Sequence, residues 1–245
     1  AHSTTGCLFY ALPTVHDQLD PTFIDNFGIT ITNPNSTDAT ITIEGPPNVT
    51  FTIPAGETHT ELLTMNTDVT NNLVSSYQTN ATAGVSYKIT SSLPVTAAQF
   101  NPYDIDIGGT ISYSNESSTL IPVTSYGTEY YALSRPTLVL GDGLINHTSP
   151  AFVTIVGTIN NTQVSIDSPA YIVGGGSIPD MTSITVQTLV INAGDVIHLI
   201  SAQDLTSDTC PTGPGAETYG PDGNGYTYCN PGNAYDPSGM HITAD

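Results

Sequence analysis

Apolar and polar residues alternate along most of this chain with the two-residue period of a half-buried antiparallel strand. Ile29 and Ile31 alternate with Thr30 and Thr32, and Ala39, Ile41 and Ile43 alternate with Thr40 and Thr42. Asn33-Pro34-Asn35 turns the chain between the two runs. The pattern returns at residues 152–156 and 164–166, around a turn at Asn160-Asn161, and again at residues 184–186 and 189–191. Residues 5–13 read as a compact apolar strand, residues 14–26 as polar and turn-like, and residues 85–100 as two strands broken at Pro94. Residues 61–79 lose the alternation, and a short helix is expected around residues 71–77. The fold class this predicts is all-β.

One stretch occurs twice. Phe51-Thr-Ile-Pro-Ala-Gly-Glu-Thr-His-Thr-Glu-Leu-Leu63 is answered by Leu189-Val-Ile-Asn-Ala-Gly-Asp-Val-Ile-His-Leu-Ile200, with Ile53 meeting Ile191 and Gly56 meeting Gly194. Each copy reads as strand, four-residue turn and strand, with glycine where a positive φ is wanted. Upstream, Ile41-Thr42-Ile43 answers Val164-Ser165-Ile166; downstream, Ile89-Thr90-Ser91-Ser92 answers Ile242-Thr243-Ala244-Asp245. The expectation is two β-sandwich domains, jelly-roll or Ig-like, of common plan arising from an internal repeat. Residues 1–26 form an N-terminal extension, 27–107 the first domain, 108–125 a connector and 126–245 the second domain. The second copy is longer than the first by about 15 residues, an insertion that loops absorb at little entropic cost. It falls in a cysteine-bracketed loop over residues 205–238.

Composition narrows the class. The 245 residues carry a formal charge of −20 with only two basic side chains, Lys88 and Arg135, which excludes phosphate-neutralising nucleic-acid binding and attraction to anionic membranes. No apolar run is long enough to span a bilayer, so no membrane insertion is expected. Polarity comes mostly from Thr, Ser and Asn, as in secreted β-proteins. Of three cysteines, Cys210 and Cys229 flank the Gly/Pro-rich loop and are the expected disulfide, which stabilises by roughly 3 kcal/mol in the chain-entropy picture. Cys7 is left over.

Several motifs stand in order: Gly6-Cys7-Leu8-Phe9-Tyr10-Ala11, Tyr87-Lys-Ile-Thr-Ser-Ser-Leu-Pro-Val95, Gly127-Thr-Glu-Tyr-Tyr-Ala-Leu133, residues 152–166, Ile191-Asn-Ala-Gly-Asp195 and Asp204-Leu205-Thr206. Together they resemble the N-terminal domain of the IgGFc-binding protein family, known from animal mucin-like proteins and bacterial surface proteins. The resemblance covers most of the chain and implies an extracellular, β-rich module of binding or structural character without known catalysis. It carries over no binding residue. The chain departs from the family pattern at the cysteine-bracketed insertion and at Asp245, where the family continues into a Pro-Val strand.

Six Asn-x-Ser/Thr sequons, at Asn35, Asn48, Asn80, Asn115, Asn146 and Asn160, fall mostly in turns beside strands and are the expected glycosylation sites. Asp222-Gly-Asn224-Gly offers oxygen ligands like half of a calcium loop, but the bidentate Glu that completes such a loop is missing. Asp222 and Asn224 are thus weak candidates for Ca2+, Asp104 and Asp106 are weaker still, and no metal or cofactor is expected. The six histidines show no zinc spacing; His59, His198 and His241 read as surface or hydrogen-bonded core residues. There is no nucleophile elbow, phosphate loop or Cys/His pair, so an enzyme is not expected.

The function expected is a structural subunit of an extracellular, N-glycosylated filament or surface layer. The second repeat lacks the strand that follows residue 92 in the first, and an unpaired sheet edge invites one from elsewhere. Cys7, Leu8, Phe9, Tyr10, Ala11 and Leu12 are the expected donor strand, giving head-to-tail self-association into a homopolymer. The alternative is a monomeric adhesin or mucin-like binding module within a larger secreted protein, with glycans among its partners.

Overall fold

The computed structural model describes residues 3–14, 24–45, 47–63, 79–107, 110–111, 117–141, 146–183, 185–201, 214–220 and 227–245. The described chain is almost wholly β, and its sheets form a sandwich-like arrangement. In the first sheet, β4 (Val49–Ile53), β3 (Ala39–Glu44), β7 (Tyr87–Ile107), β2 (Ile24–Thr32) and β5 (Thr58–Leu63) lie in that order. β1 (Thr5–Ala11), β8 (Thr110–Ile111) and β9 (Ser117–Thr119) also pair with β7. Pro94 does not break β7 as the sequence predicts. The strand runs on and changes partner there, lying against β3 up to Ser91 and against β2 from Thr96.

The second half holds a sheet of β10 (Glu129–Tyr131), β19 (His241–Ala244), β14 (Thr162–Asp167) and β15 (Val186–Ile191). A smaller sheet joins β13 (Ala151–Val156), β16 (Val196–Ser201) and β6 (Asn80–Thr82). A third contains β12 (Asn146–Ser149), β11 (Leu138–Gly141), β18 (Thr227–Asn230) and β17 (Glu217–Tyr219). The predicted insertion is therefore not only loop, since β18 within it pairs with β11, and β17 pairs with β18. The helix expected at residues 71–77 lies outside the described residues.

Two separate cores follow from the apolar alternation. Ile29, Ile31, Ile41, Ile43, Phe27 and Ile89 join Phe9 and Ala11 of β1 in the first, each fully buried. Val164, Ile166, Ile191, Ile197, Leu199 and Ile242 build the second. Burying an isoleucine side chain is worth on the order of 2 kcal/mol, so each cluster stabilises its own half.

The two halves share one pairing scheme. Ile43 faces Ile89 and Ile41 faces Ser91; Ile166 faces Ile242 and Val164 faces Ala244. Ala39 faces Ile53 as Thr162 faces Ile191. Thr32 faces Thr58 as Val156 faces Val196, and Phe27 faces Leu63 as Ala151 faces Ser201. The repeated turn closes identically: Glu57 N–H donates to Pro54 O and Asp195 N–H to Asn192 O, both at 3.1 Å. Gly56 and Gly194 take the positive φ that this turn requires, 76° and 87°. β1 also has a counterpart, because Phe9 faces Ile89 as Tyr130 of β10 faces Ile242.

That last pairing changes the reading of the N-terminus. The expected donor strand, Cys7 to Leu12, is spent inside its own molecule: Leu8, Phe9, Tyr10 and Ala11 pair with Thr90, Ile89, Lys88 and Tyr87. Phe9, Tyr10 and Ala11 are buried. Removing this strand would expose Phe9 and unpair a ladder, so cis pairing wins over donation.

Candidate functional site

Because successive side chains leave a strand on opposite faces, the sheet that buries Ile166, Ile242 and Val164 presents a second row outward. Strand register places Tyr131, His241, Asp167 and Val186 across this outer face, with Glu129, Thr243, Ser165 and Thr188 beside them. Gln163 and Val190 extend it. Tyr131 is 69% exposed, Val186 58% and Val190 66%, an unusual set of large apolar groups on one sheet face.

The Tyr131 ring stacks on His241, with centroids 4.6 Å apart and planes 13° apart. His241 Nε2 lies 2.8 Å from Glu129 Oε1. The imidazole is thus held from two sides, and Tyr131 stands as a pre-ordered aromatic platform rimmed by carboxylates. A rigid tyrosine with few torsions to freeze and polar neighbours is the composition of a protein-binding hot spot.

The equivalent face of the first half is closed. Tyr10, Lys88 and Glu44 occupy the places of Tyr131, His241 and Asp167. Tyr10 is only 4% exposed, and burial raises its hydroxyl pKa, with Lys88 pulling the other way. Lys88 Nζ pairs with Glu44 Oε1 at 3.1 Å. A cleft of about 320 Å³ opens between this corner and the second half, lined by Tyr10, Glu44, Lys88, Ser86, Ala193 and Gly194 among others. Ser86 Oγ donates to Gly194 O at 2.9 Å across it. Tyr126, just after the connecting segment, is half-buried near Tyr10 and Tyr130, and its pKa is pushed up to about 12, mainly by desolvation.

Of the expected glycosylation sites, the structure separates exposed amides from occupied ones. Asn48 and Asn160 are exposed in turns, each using Oδ1 to accept a backbone N–H, from Gly45 at 2.8 Å and Ala193 at 3.1 Å. Asn35 is half-buried, and its Nδ2 donates to Asn33 Oδ1 and Pro94 O, both at 2.8 Å. Asn80 sits inside β6 opposite His198, with Thr82 Oγ1 donating to its Oδ1 at 3.0 Å. Asn146 begins β12, and Asn115 lies outside the described residues.

Cys7 is a free, exposed thiol. Cys229 is buried in β18, while Cys210, its expected partner, lies outside the described residues, as do Asp222 and Asn224. No group of three or more His, Cys, Asp or Glu side chains suited to a metal occurs among the described residues. His59 pairs with Glu61 at 3.0 Å and packs on Phe51. His198 differs from the hydrogen-bonded core histidine expected from sequence. It is fully buried; its Nδ1 meets Thr154 Oγ1 at 2.8 Å, but Nε2 has no hydrogen-bond partner among the described residues. Desolvation lowers its pKa to about 4.

Sequence reasoning missed the outer face, although its residues were visible. Val186 and Val190 alternate with Leu189 and Ile191 of the core, so two apolar residues on the solvent side of one strand were the signal. Tyr131 and His241 come from distant segments, and only the β10–β19 register brings them together.

The model of the IgGFc binding protein family matches residues 116–209. That span carries Glu129, Tyr131, Asp167, Val186 and Val190 of the open face, and the resemblance read from the sequence is shown over it. No curated protein and no solved structure matches the chain. No helix among the described residues is long and apolar enough to cross a membrane.

Proposed function

We propose that this chain is a non-enzymatic, extracellular binding module whose partner is a protein, engaged through the outer face of the β10–β19–β14–β15 sheet. The observation that carries this reading is the exposed Tyr131–His241 stack with Val186 and Val190 beside it. It lies largely within the residues that match a family named for binding the Fc region of immunoglobulin G. Exposed aromatic and aliphatic groups next to a polar rim are the composition of a protein-binding surface.

The filament reading finds no support in the N-terminal strand. Cys7 to Ala11 belong to β1, and a donor must leave its own sheet before it can enter another. Glycan at Asn48 and Asn160 is compatible with the binding reading, since both lie in turns away from the centre of the open face.

Immobilised chain tested against purified immunoglobulin G Fc fragment, with Tyr131→Ala and Val190→Lys variants alongside, checks the proposal. The expected result is saturable binding that weakens at least about tenfold in each variant, as for a central interface residue. Binding that both variants leave unchanged would remove the face from the account, and no binding would remove Fc as its partner.

A further inference from the structure

Among the described residues the two halves differ in what lies beside β2 and its counterpart β13. β2 is flanked on both sides, by β5 and by the second half of β7, with Thr32, Ile31, Thr30, Ile29 and Gly28 facing Thr96, Ala97, Ala98, Gln99 and Phe100. Its counterpart β13 pairs with β16 alone.

The consequence is visible in burial. Ile29 and Ile31 are fully buried, in one cluster with Val95 and Ala97 of the neighbouring β7. Val153 and Ile155, the counterparts of Ile29 and Ile31, face the second core yet stay only half-buried. The backbone tells the same story. Gly157 N–H donates to Asp195 O and Gly157 O accepts from Gly194, so Gly157 points at β16, and by alternation Thr154 and Val156 point their N–H and C=O groups the other way. At the start of the strand that side is occupied, where Ser134 Oγ donates to Phe152 O at 3.1 Å. Beyond Phe152 the edge is open among the described residues.

The approach to this edge is also built. Where β7 peels away from β3 towards β2, Ser92 Oγ takes over a ladder position by accepting Thr40 N–H at 2.9 Å. At the equivalent place in the second half, Asp245 Oδ1 accepts Gln163 N–H at 2.8 Å. The backbone at Asp245 therefore stands at the bend from which β7 crosses to β2.

We propose that the outer edge of β13 is a strand-binding site. Its occupant is an extended polypeptide segment that runs on in line with β19 and lies antiparallel to β13. The ligand chemistry follows from the register of β7. By that register a small residue stands opposite Ile155, as Ala97 does opposite Ile31, a longer polar one stands opposite Val153, as Gln99 does opposite Ile29, and the backbone bonds to Thr154 and Val156. The site is separate from the Tyr131 face and does not rest on its function.

The test extends the whole chain past Asp245 with a copy of the sequence of residues 93–101, against a scrambled copy and against the same peptide added free in solution. Amide hydrogen exchange is read at Thr154 and Val156, and thermal unfolding is followed. The native extension is expected to slow exchange at both amides by about 100-fold or more and to raise Tm by about 5 °C. The free peptide is expected to do neither at micromolar concentration, because tethering supplies a roughly millimolar local concentration. Equal effects from the scrambled extension, protection by the free peptide alone, no effect from the native extension, or amides already protected in the unextended chain would each overturn the proposal.

Discussion

The antiparallel strand pairs β2–β5 and β13–β16 share one register and have opposite surroundings. In the first, the outward row is a threonine ladder: Thr30 Oγ1 lies 2.9 Å from Thr60 Oγ1, and Thr32 Oγ1 2.9 Å from Thr58 Oγ1, the latter pair exposed. In the second, the same positions hold Thr154 with His198 and Val156 with Val196. There the row is covered, with Val196 fully buried against Val85 and beside Leu12. β5 meets solvent on one face, whereas every residue of β16 is buried. The difference teaches that pairing register is set by turns and core-facing residues, while the other face is free to become either solvent surface or contact between halves. The two halves diverge in what covers the strand pair, not in its register.

The comparison can be broken at the core positions first. Ile31→Ala removes a fully buried side chain beside β7 and is expected to cost about 3–4 kcal/mol, against about half of that for Ile155→Ala at the open-edged counterpart. Equal losses in denaturant melts would mean that β13 is covered after all.

The next effect lies on the other face. The folded-state pKa of His198, about 4, is below its usual 6.5, so the unfolded chain binds more protons between those values. Stability from this site is fully present above pH 6.5 and is lost as pH falls to about 4, up to about 3 kcal/mol. Chemical melts of His198→Phe should show a shallower decline across that window than the parent chain; parallel curves would contradict the buried neutral histidine. Thr60, which stands at the His198 position in the first strand pair, predicts no such window there.

Smaller is the loss of a hydroxyl. Thr154→Val strips His198 Nδ1 of its partner and is expected to cost about 1–2 kcal/mol, whereas Thr30→Val, on the solvent-facing ladder, is expected to cost under about 0.5 kcal/mol. Smallest is the half-exposed Lys88–Glu44 pair, for which a double-mutant cycle should give a coupling of about 0.2–1 kcal/mol that fades with added salt.

Much of this plan was legible. The recurrence of Ile-x-Ala-Gly-acid marked both turns, and alternation at Ile41–Ile43 and Val164–Ile166 marked two strands, which pair with β7 and β19. What covers each strand pair was written too, in Thr58-His-Thr against Val196-Ile-His, because an apolar run without alternation marks a strand buried on both sides. The role of β1 was not legible. Its resemblance to β10 is confined to Gly6 and Gly127, aromatic pairs and Ala11 and Ala132, which carry no period of their own. Only the shared partner positions Ile89 and Ile242 reveal it. The Tyr131–His241 platform was hidden for the same reason, since a contact across more than 100 residues leaves no local trace.

Native-state hydrogen exchange on the chain of 245 residues tests the account most directly, by comparing amides at matched positions of β2 and β13. Thr30 and Thr32, held against β7, should exchange only with opening of the first core, and Thr154 and Val156 should exchange faster by orders of magnitude despite lying in an equally regular strand. Equal protection at the two pairs would show that both strand pairs are flanked alike, and the open edge of β13 would have to be given up.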